Sequence, residues 1–141
     1  SKIKSEDYSG AIADFSQAIE FNPKFELAYF NRASAKQRLQ DYSGAIADFS
    51  KAIEINPKNI TGSKHYYNRG NSKYKLKDYD GAISDYSKAI EIDPRFSSAY
   101  YNSGNAKYKL KDYDGAISDF KKAIEINPKY RSKKIVKMLI P

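Results

Sequence analysis

A repeat of 34 residues limits what this chain can fold into more than any other feature of its sequence. The segment KYKLKDYDGAISD occurs at residues 73–85 and again, unchanged, at residues 107–119. Gaps of 34, 37 and 34 residues separate the prolines that follow the apolar runs, which are Pro23, Pro57, Pro94 and Pro128. Such a period indicates copies of one supersecondary unit, each of which needs its neighbours to bury its apolar surface.

The odd gap contains three extra residues, and removing them makes the series regular. The chain then divides into a truncated first repeat (mainly its second helix), three full repeats, an insertion and a C-terminal capping helix or tail. The truncated first repeat is residues 1–25, and the three full repeats are residues 26–59, 63–96 and 97–130. The insertion is residues 60–62, and the capping helix or tail is residues 131–141.

Each full unit contains two amphipathic helical patterns separated by a turn. In residues 63–96 the first helix is marked by Tyr66, Gly70 and Leu76, which are expected to pack. The second helix is marked by Ala82, Ile83, Tyr86, Ala89, Ile90 and Ile92. Each unit is therefore predicted to be a helix–turn–helix hairpin that stacks on the next one.

The boundaries of the second helix follow from its flanking residues. A short polar residue is placed to cap its start in each unit, and the predicted caps are Ser9, Ser43, Asp80 and Asp114. The closing proline disfavours helical conformation at the residue before it, so the second helix is expected to end there.

The units resemble the tetratricopeptide repeat family, whose 34-residue pattern combines aromatic, small and proline positions at fixed offsets. The matching residues are Tyr29, Ala33, Ala45, Phe49 and Pro57; Tyr66, Gly70, Ala82, Tyr86 and Pro94; Tyr100, Gly104, Ala116, Phe120 and Pro128; and Ala11, Phe15 and Pro23. The resemblance implies an all-α fold, a right-handed superhelical α-solenoid of stacked hairpins. It also implies a protein–protein interaction module or scaffold rather than an enzyme.

The chain departs from the family pattern at two positions of each first helix. In place of leucine it has Arg32, Arg69 and Ser103, and in place of tyrosine it has Lys36, Lys73 and Lys107. An arginine on a packing face is costly unless it is paired. We expect Arg32 and Arg69 to pair with aspartates of the same or the preceding unit, which are Asp14, Asp48, Asp85 and Asp119.

The composition excludes several classes of site. The chain has no Cys and a single histidine, His65, so thiolate and His-cluster metal sites and a cysteine nucleophile are excluded. Asp78 and Asp80 lack the remaining acidic ligands of a calcium loop, and no Gly-rich phosphate loop is present. We expect no enzymatic activity, no cofactor and no metal, and we expect local packing or solvent exposure for His65.

The resemblance implies that the first helices line a concave groove, where we expect an extended peptide to bind. Core packing does not require these residues, because they lie off the apolar stripe. Asparagine amides can hold a peptide backbone, tyrosines add apolar contact, and a basic row favours an acidic partner. The predicted peptide-binding residues are Phe30, Asn31, Arg38, Tyr67, Asn68, Asn71, Tyr74, Lys75, Tyr101, Asn102, Asn105, Tyr108 and Lys109.

Other interpretations of the same face stay open but are less favoured. The polar residues can be merely solvated, since duplication repeats every residue. A Tyr/Lys/Asn face also suits RNA. However, much of the formal charge of +8 lies in residues 131–141, which contain four basic residues, so nucleic acid is disfavoured. The two-carboxylate clamp of some family members is disfavoured because its first lysine position holds Phe30, Tyr67 or Tyr101.

The remaining expectations concern the two ends of the chain. Residues 1–6 are expected to form at most the last turn of an opening helix, which leaves an apolar stripe partly uncovered: Ala11, Ile12, Phe15, Ala18 and Ile19. A self-assembling scaffold, a homo-oligomer joined through this N-terminal edge, is therefore the alternative function. At the other end a short helix is expected to cap the last repeat rather than contact a membrane, through Ile135, Met138 and Leu139.

The chain begins with Ser rather than Met, which is typical of processing, tag removal or a fragment. No apolar run approaches the roughly 18 residues of a membrane span. The absence of Cys is typical of a reducing compartment, and we expect a cytoplasmic location.

Overall fold

The computed structural model describes residues 2–57 and 60–140, and these form α-helices joined by short turns. The helices are α1 (Lys2–Phe21), α2 (Glu26–Arg38), α3 (Tyr42–Ile55), α4 (Ile60–Lys75), α5 (Tyr79–Ile92), α6 (Ser97–Lys109), α7 (Tyr113–Ile126) and α8 (Lys133–Leu139). A short 3₁₀ turn at Pro128–Tyr130 precedes α8. The described residues contain no strand, so the predicted all-α fold is confirmed.

The helices form a linear stack in which each packs mainly against its neighbours in sequence. The pairs α2–α3, α4–α5 and α6–α7 are hairpins, α1 packs against α2, and α8 packs against α7. The first helices α4 and α6 also contact each other, so one side of the stack is formed by first helices. In the part of the chain that the structure describes, no helix is both long and apolar enough to cross a membrane.

Aromatic rings and glycines interlock at the centre of two hairpins. Tyr86 is 1% exposed, and a Cβ added at Gly70 on the facing helix would lie 2.9 Å from its ring. A Cβ added at Gly104 would lie 2.6 Å from the ring of Phe120. Because protein interiors are close-packed, the two helices can approach this closely only with the smallest residue opposite the ring.

Aspartates in the turns cap the second helices. The carboxylate of each accepts a hydrogen bond of 3.0 Å from the backbone N–H three residues later, and the caps are Asp41, Asp78 and Asp112. The predicted caps are wrong, because the first turns of α3, α5 and α7 contain Ser43, Asp80 and Asp114. Each second helix begins at the tyrosine just after the aspartate, so the earlier carboxylate is the one within reach of the free N–H groups.

The same aspartates also end the first helices. The N–H of Asp41 donates to the carbonyl of Lys36 at 2.8 Å, across Gln40, whose φ of 64° lies in the left-handed region. Lys77 and Lys111 also have φ of 65°. The N–H groups of the residues after them, Asp78 and Asp112, donate in the same way to the carbonyls of Lys73 and Lys107. This is a Schellman motif, which satisfies the last carbonyls of a helix.

Leu76 belongs to one of these turns and is 49% exposed, so the expectation that it packs is wrong.

The first unit has no such turn. Asp7 corresponds in sequence to the capping aspartates, but it lies inside α1, which runs unbroken from Lys2. The expectation that residues 1–6 form the last turn of a separate helix is therefore wrong for residues 2–6, which extend α1. The extra residues at 60–62 also lie in a helix, at the start of α4, which has 16 residues where α2 and α6 have 13.

Buried arginine–aspartate pairs join the two helices of a repeat. Arg69 donates from Nε and Nη2 to the two carboxylate oxygens of Asp85 at 2.9 and 2.7 Å, and Asp85 is 3% exposed. Lys73 Nζ lies 3.1 Å from the same carboxylate. Arg69 also donates from Nη1 to Ser50 Oγ of the preceding repeat at 3.0 Å. The hydrogen bond to Asp85 raises the pKa of Arg69, so the guanidinium stays charged in its half-buried position.

The preceding repeat has the same arrangement. Arg32 donates to both carboxylate oxygens of Asp48 at 2.7 Å. The predicted pairing is thus confirmed, and the partners belong to the same unit. In the last repeat Ser103 replaces the arginine. Lys107 Nζ forms an ion pair with Oδ2 of Asp119 at 2.9 Å. The angles of this contact do not meet those of a hydrogen bond, so the buried oxygen accepts none.

Replacing glycine by alanine should have opposite effects in α1 and α5. A Cβ at Gly81 would overlap the capping carboxylate of Asp78, whereas a Cβ at Gly10 would meet nothing within 4 Å. We expect Gly81→Ala to lower the free energy of unfolding by about 1 kcal/mol, because loss of the cap outweighs the helix propensity that alanine gains in the first turn. We expect Gly10→Ala to raise it by about 0.5–1 kcal/mol through helix propensity. Urea denaturation followed by circular dichroism measures both, and equal effects of the same sign would contradict the assignment of the cap.

Arg69→Leu should lower the free energy of unfolding by about 2–3 kcal/mol, because it leaves the buried carboxylate of Asp85 with Lys73 alone. Arg95→Leu, at an exposed position in a turn, is the matched control and should change stability by less than about 0.5 kcal/mol. If Arg69→Leu unfolds at the same urea concentration as the wild type, the ion pair contributes no net stability.

Candidate functional site

An open cavity of about 410 Å³ lies on the side of the stack formed by the first helices. Its lining comes from α2 to α6 and consists of Gln37, Arg38, Tyr42, Asn71, Tyr74, Lys75, Tyr86, Asn102 and Asn105. Six of the residues predicted to bind a peptide are therefore brought together here: Arg38, Asn71, Tyr74, Lys75, Asn102 and Asn105.

A hydrogen-bond network forms the floor of the cavity. Asn102 Nδ2 donates to Asn71 Oδ1 at 2.9 Å and to Tyr67 Oη at 3.0 Å. Tyr86 Oη donates to the same Asn71 oxygen at 2.6 Å. Burial raises the pKa of Tyr86, so its hydroxyl stays protonated and able to donate. The network connects α4, α5 and α6 and fixes the orientation of both amides.

A second set of bonds joins α2 to α4 at the edge of the cavity. Gln37 Nε2 donates to the carbonyl of Asn68 at 3.0 Å and to Ser72 Oγ at 2.8 Å. The Asn68 side chain donates to the Lys64 carbonyl of its own helix at 2.9 Å, and it does not line the cavity. The asparagines of the first helices therefore have different roles, and they do not form one ladder of free amides.

Three aromatic residues predicted for the groove pack against other aromatic rings instead. Tyr67 contacts Phe96, with ring centroids 4.6 Å apart, and Tyr101 stacks on Tyr130 at 4.7 Å. Phe30 contacts Phe49 at 5.8 Å. The expectation that packing makes no demand on these positions is therefore wrong, because each ring packs on another ring of its own repeat, at or near the junction with the next segment.

His65 takes part in the first of these junctions. Its ring centroid lies 5.0 Å from that of Phe30, and the residue is 1% exposed. Nε2 lies 2.6 Å from Glu26 Oε1, while Nδ1 is buried without a hydrogen-bond partner. The expected packing role of His65 fits this environment. Among the described residues no group of three or more His, Cys, Asp or Glu is placed to hold a metal ion.

The remaining groove tyrosines make edge-to-face contacts with the next helix. Tyr74 lies 5.2 Å from Tyr79, and Tyr108 lies 5.3 Å from Tyr113. These contacts correct the expectation that Tyr74 and Tyr108 have no packing role. Lys134 on α8 lies 5.1 Å above the Tyr108 ring, so α8 covers the end of the groove near Tyr108.

Two cations give the cavity a positive charge. Arg38 and Lys75 are exposed side chains that line it, and neither has an ion-pair partner among residues 2–57 and 60–140. This contrasts with Lys73, two residues before Lys75 on α4, whose Nζ lies 3.1 Å from the carboxylate of Asp85. Of the other predicted residues, Asn31 and Lys109 lie on the same helices but outside the cavity lining.

Comparison with known proteins identifies the repeat. A family model described as "Tetratricopeptide repeat" matches residues 27–59, 63–96 and 97–130, and one described as "TPR repeat" matches residues 2–40. A search of curated protein sequences gives no match.

The solved structures similar to this one include a crystal structure of MamA and the TPR domain of OM64 from Arabidopsis. MamA is 20% identical with a TM-score of 0.86, over 98% of this chain and 78% of that one, which shows the fold alone. The OM64 domain is 25% identical with a TM-score of 0.71, over 81% of this chain and 90% of that one.

Proposed function

Because the chain belongs to the tetratricopeptide repeat family, we propose that it is a non-enzymatic interaction module that binds an extended acidic peptide in its cavity. The family generally serves protein–protein interaction. The observation that carries the finer proposal is the pair of unpaired cations, Arg38 and Lys75, beside a polar floor that is already held in place.

The floor of the cavity offers the groups that an extended backbone needs. With Asn71 Oδ1 and Asn102 Nδ2 used in the network, Asn71 Nδ2 and Asn102 Oδ1 make no hydrogen bond within the described residues. A peptide amide presents one acceptor and one donor, so it can bind this pair whatever its side chain. Because the network holds both amides, their ordering costs little on binding.

The side of the cavity supplies selectivity. Tyr74 presents an aromatic ring with a polar tip, and burial raises the pKa of its hydroxyl, which therefore stays neutral. Carboxylates at the rim would meet Arg38, whose planar guanidinium suits them, and Lys75. The volume of about 410 Å³ lies in the usual range for ligand sites. In this proposal Phe30, Tyr67 and Tyr101 act by holding the repeats in register.

Self-association through the α1 edge is the second candidate function, since Phe21 is 92% exposed there. A symmetric pairing of two α1 faces would bring the exposed Asp14 of each copy close together, which opposes it. Light scattering over a hundredfold range of protein concentration decides this, because a monomer at every concentration excludes self-association.

Reversing the two cavity charges should abolish acidic-peptide binding. We expect a library of random ten-residue peptides to yield acidic binders whose affinity falls with added salt. The double variant Arg38→Glu/Lys75→Glu should bind them at least tenfold more weakly, measured by fluorescence anisotropy. Both side chains are exposed, so helicity should not change.

Lys64→Glu is the matched control, because Lys64 is an exposed lysine of the same helix as Lys75 and lies outside the cavity lining. It should retain wild-type affinity. Equal binding by the double variant and the wild type, or a library without acidic binders, would contradict the proposal.

A further inference from the structure

The last full repeat keeps the surroundings of an arginine side chain but has a serine in place of the arginine. Ser103 stands on α6 where α2 has Arg32 and α4 has Arg69. In both of those repeats the guanidinium donates to two oxygens of an aspartate on the second helix, Asp48 or Asp85. Serine has neither the length nor the charge to make these contacts, so the last repeat lacks one cation of the arrangement.

Two further groups hold the guanidinium in the earlier repeats, besides the aspartate. Arg69 Nη1 donates to Ser50 Oγ of the preceding repeat at 3.0 Å, and its guanidinium carbon lies 5.4 Å from the centroid of the Tyr66 ring. Arg32 has the same set of partners, and they are Asp48, Ser16 and Tyr29. A carboxylate, a hydroxyl of the preceding repeat and a tyrosine ring therefore form the guanidinium site of this architecture.

The last repeat has all three of these groups. Asp119, Ser87 and Tyr100 stand at the corresponding positions of α7, α5 and α6. Lys107 Nζ lies 2.9 Å from the Asp119 carboxylate, against 3.0 and 3.1 Å for the lysine–aspartate pairs of the two preceding full repeats. The carboxylate is thus held in the same way relative to its lysine, although the arginine is missing.

The space beside Asp119 is open to solvent. The Asp119 side chain is 14% exposed, whereas the side chains of Asp48 and Asp85 are 6% and 4% exposed. Ser87 is exposed, whereas its counterparts in the preceding units are half-buried. Ser103 itself is 2% exposed, so the wall formed by α6 is closed and the opening lies beside Asp119 and Ser87. A group that fills this space therefore enters from the solvent side.

The carboxylate of Asp119 also has an oxygen that lacks a donor. Its Oδ2 is buried and accepts no hydrogen bond within the part of the chain that the structure describes. The corresponding oxygens of Asp48 and Asp85 accept from arginine Nε at 2.7 and 2.9 Å. A buried acceptor without a donor is costly, so a group that donates to it is favoured. A guanidinium is planar and presents parallel N–H donors to a carboxylate, which an alkylammonium does not.

We propose that Ser87, Tyr100 and Asp119 form a binding niche for a guanidinium group that enters from solution. The ligand donates to the Asp119 carboxylate and to Ser87 Oγ and lies against the Tyr100 ring. The niche lies between α5, α6 and α7, inside the stack rather than at one of its ends. It is separate from the peptide cavity, because none of its three residues lines that cavity.

Two probes distinguish the sources of such a group, which are a free guanidino compound and the arginine side chain of a peptide. Methylguanidinium and the blocked tripeptide Gly-Arg-Gly are titrated into the ¹⁵N-labelled protein, and the amide chemical shifts are followed. We expect saturable shifts at Ser87, Tyr100 and Asp119. Tighter binding of the tripeptide identifies a peptide arginine as the source, and otherwise the source is a free guanidino compound. Methylammonium should bind at least tenfold more weakly than methylguanidinium.

Variants of the niche test the assignment of its residues. Ser103→Arg supplies the guanidinium from the chain itself, so it should raise the urea midpoint of unfolding and abolish the shifts caused by methylguanidinium. Asp119→Asn should weaken binding at least tenfold, because the charge that attracts the ligand is lost. Asp114→Asn, which changes an exposed acid in the first turn of the same helix, is the matched control and should bind like the wild type.

Three results would overturn the proposal. They are the absence of saturable shifts at the niche, equal affinity for methylammonium, and a folded Ser103→Arg variant that binds methylguanidinium as the wild type does. The cavity variant Arg38→Glu/Lys75→Glu should keep its affinity for methylguanidinium, which separates the niche from the groove.

Discussion

The second helix of a repeat must be covered on two sides, by the first helix of its own repeat and by the first helix of the next. This requirement organises the whole molecule. In the interior it is met by rings against small residues and by arginine against aspartate, as at Gly70 with Tyr86 and Arg69 with Asp85. The guanidinium also reaches Ser50 of the preceding repeat, so one side chain joins three helices. The ends of the stack differ from the interior. There α8, which is not part of a hairpin, covers α7, and one face of α1 is only partly covered.

The periodic sequence was sufficient to predict the repeat, the hairpins, the ends of the second helices and the arginine–aspartate pairing. These features depend on residues at fixed offsets within one unit, so that pattern and propensity agree. The caps were mispredicted because two polar residues, Asp78 and Asp80, both precede the apolar run, and only the backbone geometry decides which carboxylate reaches a free N–H. Leu76 was expected to pack because its spacing suits a helix that, in the structure, has ended by that point.

The groove was less predictable, since its residues depend on contacts between units. Asn102 meets Asn71 across a separation of 31 residues, and nothing in either repeat alone indicates this bond. Identical positions also acquire different neighbours: Tyr101 stacks on Tyr130, while Phe30 lies against His65. The signal that could have identified the packing role of these rings was the aromatic residue that ends each of the last two full repeats, Phe96 and Tyr130.

The three-residue turns with Asp41, Asp78 and Asp112 have a consequence for how this architecture can change in length. Each aspartate uses its backbone N–H to end one helix and its carboxylate to start the next, so an added residue would separate two functions that one residue now performs. The junctions between repeats carry no such double function. There the three extra residues of this chain entered α4 as almost one additional helical turn. Insertions should therefore accumulate between hairpins and not within them, which would change the rotation from one repeat to the next while each hairpin stays the same.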